Sequence, residues 1–219
     1  MEKDTFEVAA AVEPALVVPA TAPRASDGCA QWPQWPSVPP TLINRTTTLR
    51  ELRSVDAPSL LEMISTEEVS RFICSPPTTL EGYNQFIEWS HRRRAEGRYI
   101  CFGVIPDGFE VAVGIFQLQV RPGDAPEWGF AIGSPFWGTG LFVDGAEAVL
   151  DFAFRGMGLR CLGARAAVEN SRGNRALQKI GAVCERVIPQ GLIKNGRPLD
   201  EHYWTVPADG RPHRKVIWK

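Results

Sequence analysis

The chain has 219 residues, with 24 basic against 25 acidic side chains and a net charge of −1. That balance, with a sequence pI near 6.3, excludes a bulk attraction to nucleic acid or to an anionic membrane. Five scattered cysteines without a Cys-x-x-Cys pair, and three histidines, exclude a disulfide framework, a zinc knuckle and a histidine-rich metal site as organising ideas. A reducing cytoplasm and no metal are expected.

The amino terminus, Met-Glu-Lys-Asp-Thr-Phe-Glu, is acidic where a secretory signal carries positive charge. The apolar run over 8–22 is broken by Glu13, Pro14 and Pro19, too short and too interrupted to span a bilayer. Seven of the 18 prolines fall within residues 1–40, which leaves no periodic apolar face there. Residues 1–40 therefore read as a proline-rich extension, a mobile tail or an arm, with Trp32 and Trp35 as candidate anchors to the core or to a partner subunit. Residues 41–219 read as the folded domain.

Strands and helices alternate from there. Residues 46–53 suit a first strand, and Asp56-Ala-Pro caps a helix whose apolar face is Leu60, Leu61 and Ile64. Ser65 and Glu68 have capping-box spacing for a second short helix that stops before Pro76-Pro77. Thr79 caps a longer helix to about residue 96, with Leu80, Tyr83 and Ile87 in helical register. Strands over 98–105 and 110–120 flank the turn Pro106-Asp107-Gly108, and 127–132 is another strand. A helix over 141–154, a strand over 160–168 and a helix over 172–180 closed by Gly181 follow. Two last strands, 183–193 and 198–206, meet across Asn195-Gly196, a hairpin signal. This order describes an α/β (α+β) fold with a single mixed, mostly antiparallel sheet of about seven strands flanked by helices.

Two stretches carry chemistry. Ser134-Pro-Phe-Trp-Gly-Thr-Gly-Leu-Phe-Val-Asp-Gly-Ala146 joins a strand to an amphipathic helix, and its glycines let backbone N–H groups face a phosphate at the positive end of the helix. A plain turn that uses glycine for its φ angles explains Gly138-Thr-Gly140 equally well. The dinucleotide fingerprint fails at Val143, and no Gly-Lys-Ser/Thr of a P-loop is present. In the second stretch, Asn170 ends a strand and Asn174 lies in the first turn of the next helix, where either amide could serve only as a brace.

In order and spacing, four blocks resemble the GCN5-related N-acetyltransferase superfamily, and within it the ribosomal-protein alanine/serine N-acetyltransferase type. They are Thr48-Leu-Arg-Glu-Leu-Arg-Ser-Val-Asp-Ala57, Glu127-Trp-Gly-Phe-Ala-Ile132, Trp137-Gly-Thr-Gly140 and Asn170-Ser-Arg-Gly-Asn-Arg-Ala-Leu-Gln-Lys-Ile-Gly181. The likeness covers about 42–206. It implies the acyl-CoA N-acyltransferase fold and acetyl-CoA as co-substrate, with the pyrophosphate on the amides of Trp137, Gly138, Thr139, Gly140, Leu141 and Phe142. Gly140 stands at the obligatory glycine, Trp137 replaces the family's Gln or Arg, and Phe142 replaces a small residue. Asn170 matches the residue that meets the cofactor arm, Asn174 lies beside the next contact, and Phe130 and Ile132 belong to the strand that carries the acetyl end.

Where relatives carry a serine or tyrosine proton donor, this chain has Gly173 and Leu177. Ser171, Tyr203 or a water is left to serve the thiolate, and Glu127 is the candidate base for the attacking amine. Positioning of two substrates without a dedicated base is the other reading. Asp200-Glu201-His202 reads as a half-surface cluster rather than an acid–base site, and Cys101 and Cys161 as small core residues. The expected reaction is acetyl transfer to a primary amine, most simply a protein or peptide amino terminus. A small-molecule amine, or a non-catalytic acyl-CoA-binding domain, is the alternative. Neither nucleic acid nor membrane is expected as a partner, and a homodimer is left open.

Overall fold

A computed structural model describes residues 35–120, 125–209 and 216–219. The expected extension falls mostly outside these residues, Trp32 with it. Trp35 is described. Its indole Nε1 donates to the Arg94 carbonyl at 2.9 Å, and its ring packs against the core.

The order of elements is β1 (Leu42–Ile43), β2 (Thr47–Glu51), α1 (Ala57–Ile64), α2 (Glu67–Ser70), α3 (Leu80–Ala95), β3 (Tyr99–Pro106), β4 (Gly114–Gln119), β5 (Glu127–Ile132), α4 (Leu141–Asp151), β6 (Cys161–Ala167), α5 (Ser171–Lys179), β7 (Val183–Lys194), β8 (Arg197–Pro207) and β9 (Ile217–Trp218). All nine strands form one sheet in the order β7-β8-β6-β5-β4-β3-β2-β1-β9. Seven of them are the expected strands. The two-residue β1 and β9 pair with each other at one edge, Leu42 opposite Trp218, and give the carboxy-terminal tail a place. Every neighbouring pair is antiparallel except β5 and β6.

Period-two alternation sends each strand's side chains to opposite faces. On β3, Ile100, Phe102 and Val104 join the core beneath α4, with Phe116, Val149 and Leu150. Tyr99 and Cys101 face the other way, into the core under α1 and α3 with Leu60, Ile64, Phe86 and Ile87. The Asn195-Gly196 hairpin forms as expected, both residues at positive φ (50° and 76°). Thr79 caps α3 by accepting from Gly82 N at 3.0 Å.

Two caps differ from expectation. Thr66, not Ser65, caps α2 through Val69 N. Ser65 turns inward, where its Oγ donates to the Pro77 carbonyl at 2.8 Å and lies 3.1 Å from Tyr83 Oη. Asp56 precedes α1 but makes no side-chain cap. Its fully buried carboxylate takes the Arg50 guanidinium through both oxygens at 2.8 and 2.9 Å, and the N–H groups of Arg53 and Ala112 at 2.8 and 3.0 Å. Cys101 and Cys161 are both buried in their strands, as expected of small core residues, and Cys101 is a free thiol. No helix among the described residues is long and apolar enough to cross a membrane.

Candidate active site

The sheet opens at its one parallel junction. β5 and β6 share a single register pair, Glu127 opposite Gly163, next to a 2.8 Å bond from Gly163 N to the Pro126 carbonyl. Beyond it the two strands do not pair, and a cavity of about 100 Å³ takes the place of the ladder. Crevices at the carboxyl ends of parallel strands are common ligand sites in α/β sheets. This one passes through the sheet. Trp128, Phe130, Ala166, Asn170 and Gly173 line it towards α4 and α5; Ile115, Gln117, Arg165, Leu192 and Glu201 line it on the opposite face, under the loop of Phe72, Ile73 and Cys74. Lys194 holds that loop, its Nζ donating to the Ile73 carbonyl at 3.0 Å and to Ser75 Oγ at 3.1 Å.

The glycine turn ends where α4 begins. Gly138 and Gly140 have φ of 80° and 93°, and a Cβ on either would meet nothing within 4 Å. Backbone conformation, not crowding, is what requires glycine there. Thr139 Oγ1 donates to the Phe136 carbonyl at 2.8 Å, and Trp137 Nε1 to the Ile132 carbonyl at 2.8 Å, which fixes the turn to the end of β5. Gly140 is the N-cap of α4 and supplies no side-chain cap. The Leu141 N–H donates to Thr139 Oγ1 at 3.3 Å, and the amides of Phe142 and Val143 that follow are left for an anion at the positive end of the helix. The Arg172 guanidinium lies 3.8 Å over the Trp137 ring and brings a positive charge to the turn. Phe142 turns to the sheet, its ring 4.5 Å from Phe130 and 5.9 Å from Phe116. Its bulk thus leaves the turn and packs on the aromatic wall of the crevice.

At the start of α5, Asn170 accepts from Gly173 N at 2.9 Å and lines the crevice. Ser171 is exposed beside it. Asn174, expected beside a cofactor contact, has its amide occupied internally. Its Nδ2 donates to the carbonyls of Ala167 and Asn170 at 2.9 Å, and its Oδ1 accepts from Trp204 Nε1 at 3.0 Å and lies 3.1 Å from His202 Nδ1. Because that oxygen only accepts, His202 Nδ1 carries the proton.

On the far face the crevice ends at buried charge. Glu127 Oε1 lies 3.1 Å from Arg165 Nε, with both side chains at most 4% exposed. Arg165 Nη1 is 4.0 Å from Glu201 Oε2. Glu201 is 5% exposed while Asp200 is exposed and His202 half-buried, the alternation expected of Asp200-Glu201-His202, with Glu201 on the inner face. Burial first, and the Glu127 charge after it, push the Glu201 carboxyl up to about 7 against the pull of Arg165. Burial and Glu127 also push the Tyr203 phenol up to about 12. Glu201 and Arg165 are the site residues that sequence reasoning missed. Their signal was alternation: Gly163, Arg165 and Ala167 on one strand and Leu199, Glu201 and Tyr203 on the next share the face of Glu127.

An open mixed sheet whose one parallel seam parts into a crevice, with a glycine turn between β5 and α4, is the architecture of an acyltransferase fold. Residues 46–183 match the family described as acetyltransferase (GNAT) domain. The chain belongs to that family and is an N-acetyltransferase. It is 25% identical over 170 residues to the Bacillus subtilis protein called uncharacterized N-acetyltransferase YoaA, covering 76% of this chain and 96% of that protein. The structure resembles Mycobacterium smegmatis RimJ in complex with CoA-disulfide, with a TM-score of 0.70 and 19% identity over 84% of this chain and 93% of that one. It also resembles the ribosomal-protein-S5-alanine acetyltransferase from Vibrio fischeri, with a TM-score of 0.67 and 19% identity over 77% and 97% of the two chains.

Proposed function

We propose that the protein transfers the acetyl group of acetyl-CoA to a primary amine, namely the amino terminus of a protein or peptide, by direct attack within a ternary complex. The observation that carries this reading is the crevice through the sheet, with an anion-ready helix start on one side and buried carboxylates on the other. Acetyl-CoA supplies a thioester activated for acyl transfer. Amides of the 137–142 turn and the first turn of α4 hold its pyrophosphate. Asn170, Phe130 and Ala131 line the crevice that takes the arm, where β5 and β6 leave their ladder open.

The acceptor enters from the opposite face, beneath Phe72, Ile73 and Cys74. An ammonium is the natural guest of a buried group in which two carboxylates share one guanidinium. Deprotonation of that ammonium falls to a carboxylate of this group, and Ser171 serves the leaving thiolate. The ribosomal-protein acceptor named for the Vibrio fischeri protein, and the CoA in the Mycobacterium smegmatis complex, support a protein acceptor and this co-substrate. A cytoplasmic setting, where acetyl-CoA and new amino termini meet, goes with the reading.

The test is release of free CoA thiol from acetyl-CoA with peptides of free or blocked amino terminus, run beside a panel of small amines. Turnover with free peptides alone is expected. Turnover confined to small amines would replace the acceptor, and none with either class would remove the assignment.

A further inference from the structure

Glu201 has no structural task that accounts for it. Its Oε2 is buried and has no hydrogen-bond partner among the described residues. The nearest cation, Arg165 Nη1, is 4.0 Å away, and that guanidinium is bonded through Nε to Glu127. A buried carboxylate oxygen without a donor carries a desolvation penalty that a merely structural role leaves uncompensated.

Yet the fold makes room for it. β7 bulges against β8 between Ile188 and Leu192. Inside the bulge a Cβ on Gly191 would come within 2.6 Å of Glu201 Oε2. A side chain at position 191 would have to displace this carboxylate from where it lies. The charged and titratable groups that act on it are Arg165 on β6, Glu127 on β5 and the Cys74 thiol of the overlying loop, with Lys194 of β7 on the far side of Cys74 and Tyr203 two residues along β8. Lys194 is turned to Ile73 and Ser75. Glu201 Oε2 is therefore left without a direct donor among the described residues on the floor of the crevice.

The geometry points to Glu201 as the group that binds the acceptor's ammonium and takes its proton, with Glu127 as the positioning residue that holds Arg165 beside it. The inference rests on the acetyl transfer proposed above and names its base. One proton passes from R–NH3⁺ to the Glu201 carboxylate. The freed nitrogen lone pair forms the C–N bond, the C–S bond breaks, and the thiolate takes up a second N–H proton, through Ser171. Glu201 then returns its proton to water, so the sum is amide, free CoA thiol and one proton. A carboxyl near 7 is suited to such a step at neutral pH, since it is half ionised where it must both accept and release a proton.

The full chain is assayed with acetyl-CoA and alaninamide as the cationic probe. Glu201→Gln should lower kcat by roughly 10²–10⁴-fold. It should also remove the limb of the pH–rate profile that rises through about 7, so that the rate follows the free amine instead. The rise in melting temperature on adding acetyl-CoA should be equal in both proteins. A loss of less than about tenfold with the limb in place would overturn the proposal. An absent acetyl-CoA shift in the unaltered protein would instead overturn the parent reading.

Infrared difference spectra give a readout without turnover. At pH 6 a protonated carboxyl band should be present in the unaltered protein, be missing in Glu201→Gln, and fade when alaninamide is added with CoA. A band that survives the substitution, or ignores alaninamide, removes Glu201 from the role. Circular dichroism checks the fold of the variant, and Glu201→Asp, which keeps the charge but withdraws it, should keep the acetyl-CoA shift and lose rate.

Discussion

Asn174 Oδ1 accepts the indole N–H of Trp204 at 3.0 Å and thereby fastens α5 to β8 across the sheet. The same side chain donates to the carbonyls of Ala167 and Asn170, which end β6 and cap α5. One amide thus shapes the rim of the crevice. Asn174→Ala strands the buried Trp204 indole N–H, while the carbonyls of Ala167 and Asn170 keep their backbone donors, and should cost about 1–3 kcal/mol, the cost of one unsatisfied buried group. Urea unfolding measures it, and a loss below about 1 kcal/mol would mean that water replaces the amide.

The glycine turn separates strain from charge. Gly140→Ala places a Cβ in open space at φ 93°, and the left-handed backbone should cost about 1–2 kcal/mol. Its melting temperature should still rise with acetyl-CoA. Gly140→Asp adds a negative charge beside the proposed phosphate site and should lose that rise altogether. Equal shifts in the two variants would take the turn out of cofactor binding.

Asp56 predicts acid sensitivity. Burial alone would raise its carboxyl, but Arg50 and the N–H groups of Arg53 and Ala112 hold it below the usual carboxylate value. A folded pKa below the unfolded one stabilises the protein above about pH 4, and that stability is lost as pH falls through the lowered value. Asp56→Asn should remove this dependence and cost about 3 kcal/mol at pH 7, because the largely buried Arg50 loses its partner. Unfolding midpoints between pH 3 and pH 7 check both the slope and its disappearance.

Glu201 predicts the opposite sign. Its carboxyl is near 7 in the folded chain and about 4.3 in the unfolded one, so its contribution is fully present below about pH 4.3 and lost as pH rises through 7. Glu201→Gln should therefore gain stability relative to the unaltered protein as pH rises from 5 to 8, on the order of 2–3 kcal/mol. A difference that does not change with pH would show that the carboxyl is not raised.

Much of the scaffold was legible because its signals are local. Thr79 and Asn195-Gly196 need only a few neighbouring residues to act, and 127–132 alternates within its own six. The edge pair of β1 and β9 joins residues from opposite ends of the chain, and two-residue strands have no periodicity to read. Asp56 and Ser65 lie where caps belong, but distant partners, Ala112 for one and Tyr83 for the other, decide where they turn. In the candidate site the glycine turn, Asn170 and Glu127 were readable from motif and order. Glu201 was not, since alternation gave its face but not that another carboxylate and a guanidinium from β5 and β6 share it.

The lone rung between β5 and β6 also has a mechanical meaning. It makes the sheet two plates riveted at Glu127 and Gly163, with β1–β5 and β9 on one side and β6–β8 on the other. Past the rivet the facing edges lack each other's hydrogen bonds, so an extended guest bearing amides can lie there as a borrowed strand. Such a guest does more than occupy a site. While it stays it welds the plates, and amide hydrogen exchange along β5 and β6 should slow together. When the acetyl group has moved and the guest leaves, the plates regain their play, and the same exchange should quicken on both sides of the seam at once.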